Sequence, residues 1–136
     1  MAPLIVITGP TASGKTGLAL ELAERYGGEI ICADSRTIYK GMDIGTAKPT
    51  REERSRVPHH LLDVVEPGDT FTAKDFQARA DETIKDIRRR GKVPFLVGGT
   101  GLYVDAVALE YQWPKHVADR EQFEAYTNAD LLAMLK

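Results

Sequence analysis

Eight consecutive residues constrain this chain more than any others: Gly9-Pro10-Thr11-Ala12-Ser13-Gly14-Lys15-Thr16. They fit G-x4-G-K-[ST], the pattern of a loop that wraps a phosphate group. The pattern gains meaning from its context. Ahead of it, Leu4-Ile5-Val6-Ile7-Thr8 is a short β-branched run that reads as a strand buried on both faces. Behind it, Leu18, Ala19, Leu22 and Ala23 fall on one helical stripe that stops at Gly27-Gly28. Glu29 to Ala33 then reads as a second buried strand. Strand, glycine turn, helix, strand is a βαβ unit, which crosses over right-handed into a parallel sheet.

The loop's chemistry follows from its backbone. Its glycines let successive N–H groups from about Ala12 to Thr16 turn toward phosphate oxygens, and the helix dipole adds partial positive charge at the same place. Lys15 adds a full charge, and the Thr16 hydroxyl is placed to hold Mg2+. The ligand expected is a polyphosphate. A nucleotide such as ATP and a prenyl diphosphate present the same group, so the motif does not choose between them.

Further along, Ser35 to Pro58 is rich in Gly, Thr, Lys and Arg, has only a brief apolar element at Ile38-Tyr39, and reads mostly as loop with one helical turn. His60 to Val65 is a third strand candidate, closed by the turn Glu66-Pro67-Gly68-Asp69. Thr72-Ala73-Lys74-Asp75 resembles a capping box with Asp in place of Glu, and Phe76, Ala80, Ile84 and Ile87 continue at helical spacing to Gly91. Val93 to Val97 is a fourth strand. It empties into Gly98-Gly99-Thr100-Gly101 and a helix over Leu102 to Leu109, a second strand–glycine–helix junction. Beyond a breaker at Tyr111-Gln112-Trp113-Pro114 the chain reads as short helices, the last at Ala129 to Lys136.

Size and charge narrow the class. With 136 residues, 43% of them hydrophobic, the chain can bury a core as one domain. A net charge of -2 with 28% charged residues neither announces nor excludes a nucleic-acid partner, so such binding must rest on local patches. The single cysteine, Cys32, has no disulfide partner and no zinc spacing; it reads as a small buried hydrophobe in a reducing, cytoplasmic setting. No basic leader and no apolar run long enough to span a membrane is present in this sequence.

Two carboxylates are candidates for chemistry. Asp34 directly follows the second strand, at the sheet edge where open α/β folds bind ligands. There it can bind Mg2+, cap the next element with Ser35, or act as a general base. Asp63, within Leu61-Leu62-Asp63-Val64-Val65, has a rough Walker B shape that would favour nucleotide triphosphate chemistry. Lys40, Lys48, Arg51, Arg54 and Arg56 give a plausible RNA path with Tyr39 as a stacking platform, or an ordinary solvated surface. Arg88-Arg89-Arg90 with Lys92 reads first as a complement to a helix dipole. His59 and His60 read as strand-edge polar residues, and Tyr111 and Trp113 as packing residues.

Taken in order, GPTASGKT at 9–16, ADS at 33–35, IYKGMDIGTAKP at 38–49, HHLLDV at 59–64 and VGGTGLY at 97–103 resemble the motifs of tRNA dimethylallyltransferases. The likeness runs from residue 3 to about 110. It implies an α/β, P-loop NTPase-like three-layer domain with a parallel sheet flanked by helices over 1–110, and the start of a helical insertion domain over 111–136. It also implies a reaction, transfer of a dimethylallyl group from dimethylallyl diphosphate to the exocyclic amine of the adenosine beside the tRNA anticodon, once that base is flipped out. In that scheme Gly9 to Thr16 hold the pyrophosphate leaving group with Mg2+, Lys15 and Thr16 absorb its charge, and no nucleotide triphosphate is hydrolysed. Asp34 matches the general base. Ser35, Arg36 and Thr37 match the segment that touches the flipped adenosine and its neighbours, and Thr100 a substrate contact. Gly98 and Gly99 would let substrate approach the backbone.

Members of that family are longer, with a full insertion domain and later arginines, and a monomer is expected for the full-length enzyme. The competing expectations are a P-loop small-molecule kinase using Asp63 and a truncated domain that binds diphosphate without catalysis.

Overall fold

Alternation along two central strands builds the molecule's two cores. In this computed structural model, which describes residues 3–9, 15–41, 48–110 and 112, strand β2 (Gly28–Cys32) is buried at every position. Ile31 and Ala33 point to one face of the sheet with Leu96, and Ile30 and Cys32 to the other with Phe95 and Val97. The first face is covered by α3 (Ala73–Arg89) and α4 (Gly101–Ala108), the second by α1 (Lys15–Tyr26), giving three layers. The sheet is four-stranded and wholly parallel, in the order β1 (Ile5–Thr8), β4 (Val93–Gly98), β2, β3 (His59–His60). β1 pairs only with β4 and stands at the edge of the described sheet, with Val6 39% exposed. The expected burial on both faces therefore does not hold for β1 among the described residues.

Local rules account for most element ends. Gly27, at φ 64°, closes α1, and Gly91, at φ 77°, follows α3. α3 begins on the expected capping box, in which the Thr72 hydroxyl accepts from the Asp75 N–H and the Asp75 carboxylate from the Thr72 N–H. Its buried stripe is Phe76, Ala80, Ile84 and Ile87, with Gln77 donating to the Ala106 carbonyl of α4 at 2.7 Å. In α1 the inward stripe is Ala19, Leu20 and Ala23, while Leu18 is 50% exposed.

The one helical turn expected between Ser35 and Pro58 is α2 (Arg51–Arg56), which Thr50 and Glu53 open with a capping box. The next element departs from expectation. The third strand is only His59–His60, because the backbone then turns through the left-handed region at Leu61 (φ 64°) and Asp63 (φ 55°). That turn lets residues 63 to 65 hydrogen-bond to the carbonyls of Thr37 and Ile38, while the Lys40 N–H donates to Val65. A third strand of six residues would have left these carbonyls without those partners.

Charge is also placed inside the fold. Glu29, in the middle of a buried strand, has a side chain only 5% exposed and accepts from Arg90 Nη2 at 2.9 Å and from His60 Nε2 at 2.7 Å. Arg90 also reaches Asp86 at 3.0 Å, so this exposed arginine ties a buried carboxylate to the surface as well as facing a helix dipole. Hydrogen bonding from Arg90 holds the Glu29 carboxyl below the usual carboxylate range.

Candidate active site

The parallel sheet sends the carboxyl ends of β2 and β4 and the amino end of α1 to the same edge, where open α/β sheets bind ligands. A cavity of about 50 Å³ lies there, lined among others by Thr16, Cys32, Asp34, Thr37, His59 and Gly98. Thr16 in the first turn of α1 and Asp34 after β2, eighteen residues apart in sequence, thus face one space. Of the phosphate loop, Gly9 follows β1 and Lys15 opens α1. Pro10, Thr11, Ala12, Ser13 and Gly14 lie outside the described residues, as does the Lys15 side chain.

Asp34 is held by its own turn. Its side chain is 14% exposed, and Oδ1 accepts the Arg36 N–H at 2.8 Å with the Arg36 guanidinium 3.7 Å away. Among the described residues nothing bonds Oδ2. The Thr37 hydroxyl donates to the Asp34 carbonyl at 3.2 Å, and Thr37 is almost fully buried while Arg36 is exposed.

Thr100 joins this group from the second glycine junction. It occupies the N-cap of α4, yet its hydroxyl makes no capping bond. Instead Oγ1 accepts the Ser35 N–H at 2.9 Å and lies 3.3 Å from the Ser35 hydroxyl, while the Thr100 N–H donates to Ala33 at 3.3 Å. All five residues expected to face the RNA, Asp34, Ser35, Arg36, Thr37 and Thr100, therefore stand together, in two hydrogen-bonded sets joined by the Asp34–Ser35 peptide.

Gly98 has a packing reason besides the one expected. A Cβ there would sit 2.1 Å from the Ala33 carbonyl oxygen, so the glycine lets β4 lie close against the residue that carries Asp34. Tyr103 of the same motif is core, stacked on Phe76 at 4.5 Å.

Cys32 and His59 were not singled out as site residues, although both line the cavity. The register supplies the missing signal: Ile30 pairs with His59, so β3 brings His59 beside the face of β2 that carries Cys32. His59 Nδ1 donates to the Val57 carbonyl at 2.7 Å, and burial pushes its pKa down. The neutral ring thus keeps Nε2 as an acceptor. Burial drives the Cys32 thiol up to about 12.

The other carboxylate is engaged. Asp63 is gripped by Lys48, whose side chain is only 6% exposed and which also donates to the Tyr39 carbonyl at 3.0 Å, and Arg54 stands 3.5 Å from its other oxygen. Lys48 holds the Asp63 carboxyl below its usual range. Of the other basic residues on the expected RNA path, Lys40 pairs with Glu66 at 2.7 Å and Arg56 with Glu24. Residues 42–47, the middle of the IYKGMDIGTAKP block, and Tyr111, Trp113 and Ala129 to Lys136 lie outside the described residues. Among the described residues no helix is long and apolar enough to cross a membrane.

Known proteins place this arrangement. A tRNA dimethylallyltransferase of Geobacter metallireducens is 65% identical over 101 residues, 74% of this chain and 33% of its own length. One from Roseiflexus sp. is 54% identical over 125 residues, 92% of this chain and 41% of its own. Among solved structures, the full-length tRNA isopentenylpyrophosphate transferase of Bacillus halodurans superposes with a TM-score of 0.81 at 45% identity, covering all of this chain and 48% of that one. A eukaryotic dimethylallyltransferase acting on tRNA gives 0.75 at 34%, over 96% of this chain and 31% of that one. The chain thus spans 31% to 48% of the length of these proteins. The fold is P-loop NTPase-like, as in these structures. The family model described as IPP transferase matches residues 37–136, and the chain belongs to that family.

Proposed function

We propose that the protein containing this sequence transfers a dimethylallyl group from dimethylallyl diphosphate to the exocyclic amine of the adenosine beside the tRNA anticodon. The observation that carries the proposal is the shared cavity of Thr16 and Asp34, with Ser35, next to Asp34 in sequence, bonded to Thr100. The names of the relatives, tRNA dimethylallyltransferases, point the same way.

In this reading the amine nitrogen forms a bond to the allylic carbon, the carbon–oxygen bond to the diphosphate breaks, and pyrophosphate leaves. Asp34 takes the proton released by the amine, and its Oδ2 is the oxygen suited to that task because Oδ1 is committed to Arg36. The loop from Gly9 to Thr16, with Lys15, receives the charge that builds on the leaving group. Mg2+ would be held by the Thr16 hydroxyl together with diphosphate oxygens. Few protein ligands suit this ion, which keeps waters and substrate oxygens. When bound it supplies positive charge to the departing diphosphate. Ser35, Arg36, Thr37 and Thr100 form the wall against which the flipped adenosine rests, Thr37 from within and Arg36 from the exposed side. Residues 111–136 open a helical insertion in this proposal, the whole protein is a monomer, and it works in the cytoplasm.

The kinase alternative rested on Asp63, and the Lys48 grip on that carboxylate weighs against it. The test uses the intact encoded protein with dimethylallyl diphosphate, Mg2+ and an anticodon stem-loop bearing the target adenosine. Asp34→Asn lowers transfer by about 10²- to 10⁴-fold while dimethylallyl diphosphate still binds. An unchanged rate removes Asp34 from the chemistry, and phosphate transfer from ATP without prenylation replaces the proposal with the kinase.

A further inference from the structure

A second pocket, of about 340 Å³, opens next to the site. It is lined by Lys48, Pro49, Arg51, Arg54 and Asp63, and Pro49 is the wall it shares with the cavity of Asp34. Three cations face one carboxylate here, and their engagement differs. Lys48 is buried and spent on Asp63 and the Tyr39 carbonyl. Arg54, 38% exposed, stands at a loose 3.5 Å from Asp63. Arg51 is exposed and has no ion-pair partner among the described residues. The acidic neighbours on α2 do not neutralise the pocket: Glu53 is turned to the Thr50 N–H at 2.8 Å, and neither it nor Glu52 lines the space.

The floor is built to hold its shape. Asp63 sits at φ 55° and Leu61 at φ 64°, left-handed positions that non-glycine residues occupy only where the surroundings hold them. Here the Asp63 N–H donates to the Thr37 carbonyl at 3.2 Å, which ties the pocket to the loop that carries Asp34.

We propose that this pocket seats a backbone phosphate of the RNA whose base lies at Asp34, with Arg51 and Arg54 as its ligands. The proposal rests on the reading of the site as an RNA prenyltransferase and names where that RNA is gripped. Guanidinium groups match a phosphate's paired oxygens, and the excess positive charge of the pocket supplies the attraction. Asp63 keeps Arg54 poised without cancelling Arg51, and the shared wall at Pro49 puts the contact beside the flipped base.

The experiment measures binding of a fluorescent anticodon stem-loop to the intact protein between 50 and 200 mM salt, for wild type, Arg51→Gln, Arg54→Gln and the double variant. The double variant binds about tenfold more weakly at the low-salt end, and its slope of log Kd against log salt falls by about 1. Dimethylallyl diphosphate binding holds at the wild-type value. Arg51→Gln, which breaks no contact among the described residues, still shows a reduced slope, so the result does not depend on a variant that fails to fold. Equal affinity and slope in all four proteins overturn this proposal alone. A loss that falls on diphosphate or inorganic phosphate instead of the RNA also overturns it, by assigning the pocket to the small substrate. A wild type that does not bind the stem-loop overturns the enzymatic reading and this one together.

Discussion

Replacing Gly98 by alanine tests the link between sheet packing and site. The added Cβ would lie 2.1 Å from the Ala33 carbonyl oxygen, 2.4 Å from its carbon and 2.8 Å from its Cα, all backbone atoms. Ordinary contact begins near 3.4 Å, so β4 and the end of β2 must part by roughly 1.3 Å. No side chain can swing away to relieve this. The bond from the Ala33 N–H to the Val97 carbonyl, now 2.8 Å, and the one from the Thr100 N–H to Ala33, now 3.3 Å, both span the gap that would open. Overpacking of this kind costs about 1–3 kcal/mol, and one lost backbone bond adds about 1 kcal/mol. The expected loss is about 3 kcal/mol. Gly101 is the internal control: nothing lies within 4 Å of its added Cβ and its φ is not positive. As the first residue of α4, Gly101→Ala is expected to be neutral or to gain up to about 0.5 kcal/mol. Urea unfolding of the intact protein, followed by circular dichroism, reads both. If Gly98→Ala falls within about 0.5 kcal/mol of wild type, the two strands are not locked at this point. The argument that Gly98 locks β4 against Ala33 then fails with it.

Three further outcomes follow from the same contacts. The folded-state pKa of Asp63 is depressed by Lys48, so its stabilisation is present above the ordinary value of 3.8 and lost as pH falls through the lowered one. The stability gap between wild type and Asp63→Asn should accordingly close in acid unfolding curves taken below pH 3.8, and a constant gap would deny the ion pair. Cys32, with its thiol raised to about 12 by burial, should resist a disulfide reagent at pH 8 in the folded protein and react on unfolding; fast native labelling would contradict that burial. Thr72→Ala removes half of a capping box and should cost about 1 kcal/mol in the same urea assay, with Thr72→Ser recovering most of it.

The sequence was most legible where one residue type answers one local demand. The Thr72–Asp75 box, the glycine ends of α1 and α3, and the strand–glycine–helix order at both junctions could all be read directly, since capping and left-handed turns depend on a few neighbouring residues. The segment from Ser35 to Val65 was read less well. A capping box at Thr50 and Glu53 was present in the letters but hidden among loop-like composition, so the one helical turn expected there was not placed at α2. The third strand was drawn too long because the apolar run His60 to Val65 shows no sign of its two left-handed residues, which long-range bonds to Thr37 and Ile38 hold in place. Glu29 looked like one letter in a buried run; its partners Arg90 and His60 come from elements far along the chain.

By itself, then, the sequence determined that the chain is a parallel α/β sheet with a G-x4-G-K-[ST] motif between its first strand and first helix and a carboxylate after its second strand. It did so because hydrophobic period, glycine placement and caps act over a few residues. Tertiary structure decided which polar groups meet. Thr100 abandons its helix cap for Ser35, Lys48 pairs with Asp63, and Gly98 packs against the backbone of Ala33. Those choices depend on the order and register of strands that lie next to each other only after folding, and no local pattern encodes a register between distant segments.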